Sequence, residues 1–118
     1  MKIKMEFKRG ILFIRLTGKL ENNNVNYFEE EVLPVLLLQN IKYIVLNFDE
    51  VTSIDSKGIN SLDKLNDIVS SYNGKTSLCS LTSIDVRNKI TENSIYSKFY
   101  ETTNELSALE LFKIWKFQ

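Results

Sequence analysis

The sequence predicts an α/β fold in which a mixed sheet of about four to five strands is packed by about four helices. Two observations predict it. Short segments of alternating or continuous apolar character take turns along the chain with segments of helical period. Turn and cap residues (Gly, Asn, Ser, Asp) fall between them at regular intervals. The size agrees: 118 residues with 43% hydrophobic and 11% aromatic side chains suffice for one ordinary core. A single domain over residues 1–118 is therefore expected.

The elements follow in order. Residues 2–8 alternate Ile3, Met5 and Phe7 against Lys4, Glu6 and Lys8, the pattern of a half-buried strand. Arg9-Gly10 reads as a tight turn into a second strand over 11–17, with Gly18 ending it, and the two form a hairpin. Asn24 is placed to cap a helix in which Val25, Phe28, Val32 and Leu36 share one face. Pro34 lacks an amide donor and is expected to kink or break that helix near residues 30–33. Residues 41–48 are almost continuously apolar, as in a central strand covered on both faces.

Ile59, Leu62, Leu65, Val69 and Tyr72 recur at three or four, which makes 56–72 an amphipathic helix that Asn73-Gly74 stops. Another strand is expected over 75–81. Ser83 then caps a short helix carrying Ile84, Arg87 and Ile90, and residues 98–101 form a small last strand. Asn104 caps a final helix with Leu106 and Leu109. Strands and helices in this alternation pair in parallel through right-handed crossovers. Function in such sheets gathers at the carboxyl ends of the strands.

Composition removes several chemistries. Fifteen Lys+Arg balance fifteen Asp+Glu, without the cationic surplus that direct nucleic-acid binding uses. There is no histidine, which excludes Ser-His and Cys-His nucleophile pairs, phosphohistidine chemistry and the commonest metal ligand. Cys79 is the single cysteine, so neither an internal disulfide nor a cysteine zinc cluster can form, and it reads as a small buried hydrophobe. The apolar stretch from Val32 to Leu38 contains a proline and falls far short of the roughly 20 residues a bilayer demands. No apolar run follows the N-terminal lysines, so no secretory signal is expected.

These points lead to an expectation of a soluble, cytoplasmic, non-enzymatic protein with no metal, cofactor or membrane insertion. The glycines lie too far apart for a phosphate-cradling loop. Glu29-Glu30-Glu31 reads as a solvated helix face. Tyr96, Phe99 and Tyr100 are expected in the core, and Trp115 and Phe117 are expected to pack the last helix or to meet a partner.

The junction over residues 49–58 carries the functional interest. Val51 and Ile54 anchor it, Ser56 occupies the expected helix N-cap, and Gly58 allows a close backbone approach. Capping alone would explain an Asp-Ser pair here, at about 0.5–2 kcal/mol. The same placement offers a hydroxyl beside unpaired amides and the positive helix end, where a phosphate is stabilised. Beside Asp49, Glu50 and Asp55, a phosphate would change the surface that a partner meets.

Three stretches give the chain a family resemblance: 14–21 (Ile-Arg-Leu-Thr-Gly-Lys-Leu-Glu), Ile44-Val45-Leu46-Asn47-Phe48, and Val51 through Asp55-Ser56-Lys57-Gly58-Ile59. On these residues it resembles STAS domains, most of all the free-standing anti-sigma factor antagonists. The resemblance implies a partner switch. The unphosphorylated antagonist binds an anti-sigma factor that is also a serine kinase of GHKL type, and a sigma factor is released. Phosphorylation of Ser56 ends the complex, and a serine phosphatase reverses it.

Carried over by residue, Ser56 is the acceptor, and Glu21, Asp55, Lys57, Gly58, Ile59 and Asn60 belong to the partner-binding surface. Two positions depart from the family: Lys57 stands where a second serine is frequent, and Asn60 where glycine is. Lys57 could pair with a phosphate on Ser56 or alter kinase choice. A phosphorylation-independent STAS scaffold, or an accessory subunit of a signalling or lipid-transport complex, is the alternative. An enzyme built on Ser56 lacks a general base of suitable pKa.

Overall fold

The computed structural model describes residues 1–116, with side chains through Lys113. Its elements are β1 (Lys2–Lys8), β2 (Ile11–Leu20), α1 (Asn23–Leu38), β3 (Tyr43–Ile54), α2 (Ser56–Ser71), β4 (Lys75–Cys79), α3 (Ile84–Thr91), β5 (Tyr100–Thr102) and α4 (Glu105–Lys116). A 3₁₀ turn over Ser94–Lys98 precedes β5. The strands form one sheet in the order β1-β2-β3-β4-β5, with β1 antiparallel to β2 and every other pair parallel. The predicted α/β fold, with a mixed five-stranded sheet and four α-helices, is the one observed.

Period-2 alternation divides the strands between two cores. Leu12, Ile14 and Leu16 of β2 and Ile44, Leu46 and Phe48 of β3 face α1, α2 and α3, where Phe28, Leu36, Leu62, Leu65 and Val69 cover them. On the opposite face Ile11, Phe13, Val45 and Cys79 meet Ala108 and Phe112 of α4. Both faces of β3 are covered along Ile44–Leu46, which is why 41–48 reads as an almost continuous apolar run. Cys79 is fully buried, and desolvation pushes its thiol up to about 11.

A polar cluster fastens α4 beside the smaller core. Arg15 of β2 donates through Nε and Nη2 to the two carboxylate oxygens of Glu105, each at 2.8 Å. Asn47 of β3 donates to Glu105 Oε2 at 2.7 Å, and Glu6 of β1 pairs with Arg15 at 3.0 Å.

Several boundaries differ from expectation, for local reasons. Gly18 does not end β2. It adopts φ +111°, open only to glycine without strain, and the strand continues to Leu20 through register shifts around it. Residues 49–54, expected as a loop, extend β3 alongside the lengthened β2. This extension pairs Leu20 with Ile54, and both side chains are fully buried. α1 starts at Asn23 instead of after an Asn24 cap; the Asn24 amide donates to the Lys19 carbonyl at 2.8 Å.

Pro34 does not break α1, which continues to Leu38. Pro34 is exposed, as is Glu30, the residue whose carbonyl loses its helical donor there. β4 stops at Cys79, and β5 spans 100–102 instead of 98–101. Ser83 and Asn104 cap α3 and α4 as expected, accepting from the amides of Val86 and Ser107. Phe99 is buried, Tyr96 is half-buried and Tyr100 is exposed. The side chains of Trp115 and Phe117 lie outside the described residues.

Candidate functional site at the start of α2

The chain leaves β3 at Ile54 and enters α2 at Ser56, so one residue makes the turn. Asp55, not Ser56, is the N-cap: its backbone is extended (φ −117°, ψ −177°), and Oδ1 accepts from the Gly58 amide at 2.9 Å. Oδ2 accepts from the Asn22 amide at 3.0 Å. One carboxylate thus ties the first turn of α2 to the β2–α1 connection. Partial burial would raise its pKa; the bonds from Gly58 and Asn22 and the charge of Lys57 outweigh this and hold it below the ordinary value.

Gly58 completes the arrangement from beneath. A Cβ at this position would stand 2.2 Å from the Leu20 carbonyl oxygen and 2.8 Å from Ile54 Cγ1. No larger residue fits without moving β2 or α2. Ile59 beside it is also buried, at 6% exposure. The β2–α1 connection reaches its side of the contact through Asn22, held at φ 52° and ψ −125°.

Because Asp55 takes the cap, Ser56 becomes the first helical residue. Its side chain is exposed and has no partner among the described residues. Lys57 and Asn60 are exposed, and Glu21 is half-buried. The structure therefore sorts the sequence-predicted residues in two. Ser56, Lys57, Asn60 and Glu21 face outward, whereas Asp55, Gly58 and Ile59 hold the turn in place.

Ser56 opens onto a shallow depression of about 340 Å³ lined by Glu21, Ile54, Asp55, Ile59, Lys89, Glu92 and Asn93. The last three come from the final turn of α3 and the two residues after it, which the sequence offers no reason to place here. Asn22 is likewise absent from the sequence expectations, since only its backbone participates.

The sequence matches the STAS domain family over residues 2–106. The chain belongs to that family. A curated relative, the anti-sigma F factor antagonist of Paenibacillus polymyxa, is 23% identical over 79 residues, 67% of this chain and 68% of the relative. Among solved structures, an anti-sigma factor antagonist from Mycobacterium paratuberculosis superposes with a TM-score of 0.84 at 14% identity, covering 95% and 93% of the two chains. The anti-sigma factor antagonist SpoIIAA in its unphosphorylated form gives 0.75 at 18% identity, covering 95% and 98%. The phosphorylated form of Bacillus SpoIIAA gives 0.72 at 19%, covering 93% and 99%. In this STAS domain Ser56 is exposed at the first position of α2, and the amides of Gly58 and Ile59 behind it are already bonded to Asp55.

Proposed function

We propose that this chain is an anti-sigma factor antagonist of the STAS family, working as a single domain over residues 1–118 in the cytoplasm. Its unphosphorylated form binds an anti-sigma factor that is a serine kinase of GHKL type, which releases a sigma factor for transcription. Phosphorylation of Ser56 dissociates the pair, and a serine phosphatase restores the binding form. The protein contributes a surface and an acceptor, and no catalytic residue.

One observation carries the reading: Asp55 caps α2 through its own carboxylate, which leaves the Ser56 hydroxyl exposed at the first helical position and without a partner among the described residues. The modification needs no rearrangement of the fold. Adding about two negative charges changes the docking face of Glu21, Ser56, Lys57 and Asn60, while Asp55, Gly58 and Ile59 keep it in shape. The relative named as an anti-sigma F factor antagonist, and the existence of SpoIIAA in both phosphorylation states, point the same way.

The test combines affinity capture of the host's anti-sigma factors with intact mass measurement after incubation with Mg-ATP. The wild type should gain one phosphate, mapped to Ser56. Ser56→Ala should bind the same kinase and stay unmodified, and Ser56→Glu should lose binding by at least about tenfold, near 1.4 kcal/mol. Capture that is equal for all three proteins would instead favour a scaffold subunit indifferent to Ser56.

A further inference from the structure

Lys57 sits next to Ser56 in sequence, yet adjacent helical positions diverge by about 100° around the axis, so their side chains do not face each other. The cation that shares the depression with Ser56 comes from a different element. Lys89, in the last turn of α3, lines the same recess, together with the carboxylates of Glu21, Asp55 and Glu92. Among the described residues, Lys89 is the sole cation of that lining. Its present partner is Asp85, one turn earlier, at 3.3 Å, with side-chain exposures of 48% and 66%. An exposed pair of this kind is weak and easily exchanged.

We propose that Lys89 is the intramolecular partner of the phosphate on Ser56, released from Asp85 when the modification is made. The inference rests on Ser56 being the phosphorylated residue and adds what the phosphate meets. A dianion placed there faces Glu21, Asp55 and Glu92, all of its own sign, and Lys57 lies around the helix from it. Lys89 is the cation that shares the recess with it. The phosphate would then bridge the start of α2 to the end of α3. The modified protein would thereby differ from the unmodified one in the shape of the recess as well as in its charge.

The test uses full-length protein with phosphoserine installed at position 56 during translation, so that no kinase is involved. The second ionisation of the phosphate, ordinarily near pH 6, is followed by phosphorus NMR across a pH titration at low salt. Lys89→Gln should raise that pKa by about 0.3 unit or more, because the dianion loses its counter-charge. Lys89→Arg should keep the wild-type value, and Lys57→Gln should move it less than Lys89→Gln does. An unchanged value in Lys89→Gln, or a larger rise in Lys57→Gln, overturns the assignment. If the kinase experiment above fails while this titration succeeds, the partner switch is wrong and the phosphate contact stands.

Discussion

Asp55 and Glu105 each stand at the start of a helix, and each ties that helix to another part of the chain by both oxygens of one carboxylate. Asp55 accepts from two backbone amides, Gly58 three residues on and Asn22 across the connection. Glu105 accepts from side chains, Arg15 ninety residues earlier and Asn47 fifty-eight earlier. A carboxylate bonded to amides fixes the course of the main chain. A carboxylate bonded to a half-exposed guanidinium fixes a helix against a surface, through groups that water can replace. The Ser56 site is therefore set by backbone, so its outward-facing residues can vary without moving the acceptor. The α4 anchor is set by a matched trio of side chains and changes when any of them does.

The contrast predicts unequal damage. Gly58→Ala strikes the backbone contact itself, since the new methyl would overlap the Leu20 carbonyl. We expect a loss of about 3 kcal/mol in urea unfolding, at the upper end for an overpacked site. A loss under about 1 kcal/mol would show that the β2–α1 connection yields, and that the acceptor is less firmly set than the contact implies. Asp55→Ala removes the cap and leaves the exposed Asn22 amide to water, for about 1–2 kcal/mol. Asp55→Asn should fall between it and wild type: its carbonyl can still accept from Gly58, but its amide nitrogen cannot accept from Asn22. Equal loss in both variants would mean that the Asn22 bond carries the whole effect.

The same contrast explains what could be read in advance. Asp55, Ser56 and Gly58 lie within four residues, and local rules about helix starts place them near the right geometry. Those rules erred by one position, because Asp and Ser are nearly equal as caps and the second bond to Asn22 is invisible locally. The strand pattern located all five strands and the caps at Ser83 and Asn104. It missed the extensions of β2 and β3, where a register shift at Gly18 interrupts the alternation on which strand recognition depends. Pro34 misled because a proline is better tolerated inside a helix on its exposed side, where Pro34 and Glu30 both lie. The Arg15–Glu105–Asn47 trio and the approach of α3 to Ser56 join residues far apart in the chain, and nothing local signals either.

The smallest expected effect is also the most discriminating, because it separates charge from packing at the two helix starts. In the folded protein both carboxyls titrate below their ordinary values of 3.8 and 4.5. For Glu105 the bond from Arg15 is the main cause, opposed by partial burial and reinforced by Asn47. A depressed folded pKa contributes stability above the unfolded value, and that contribution is lost as pH falls through the folded one. Both contributions are then complete at neutral pH and fade below about pH 4.5. Glu105→Gln should lower stability at neutral pH by about 0.5–1 kcal/mol, a figure kept small because the Arg15 side chain is 41% exposed and screened. Its deficit against wild type should shrink as the urea midpoint is followed into acid, as the native carboxyl takes up its proton in turn. The deficit of Asp55→Asn should shrink over the same range. A deficit that stays constant in either variant would assign that helix start to packing and shape, with the charge of the carboxylate playing no part.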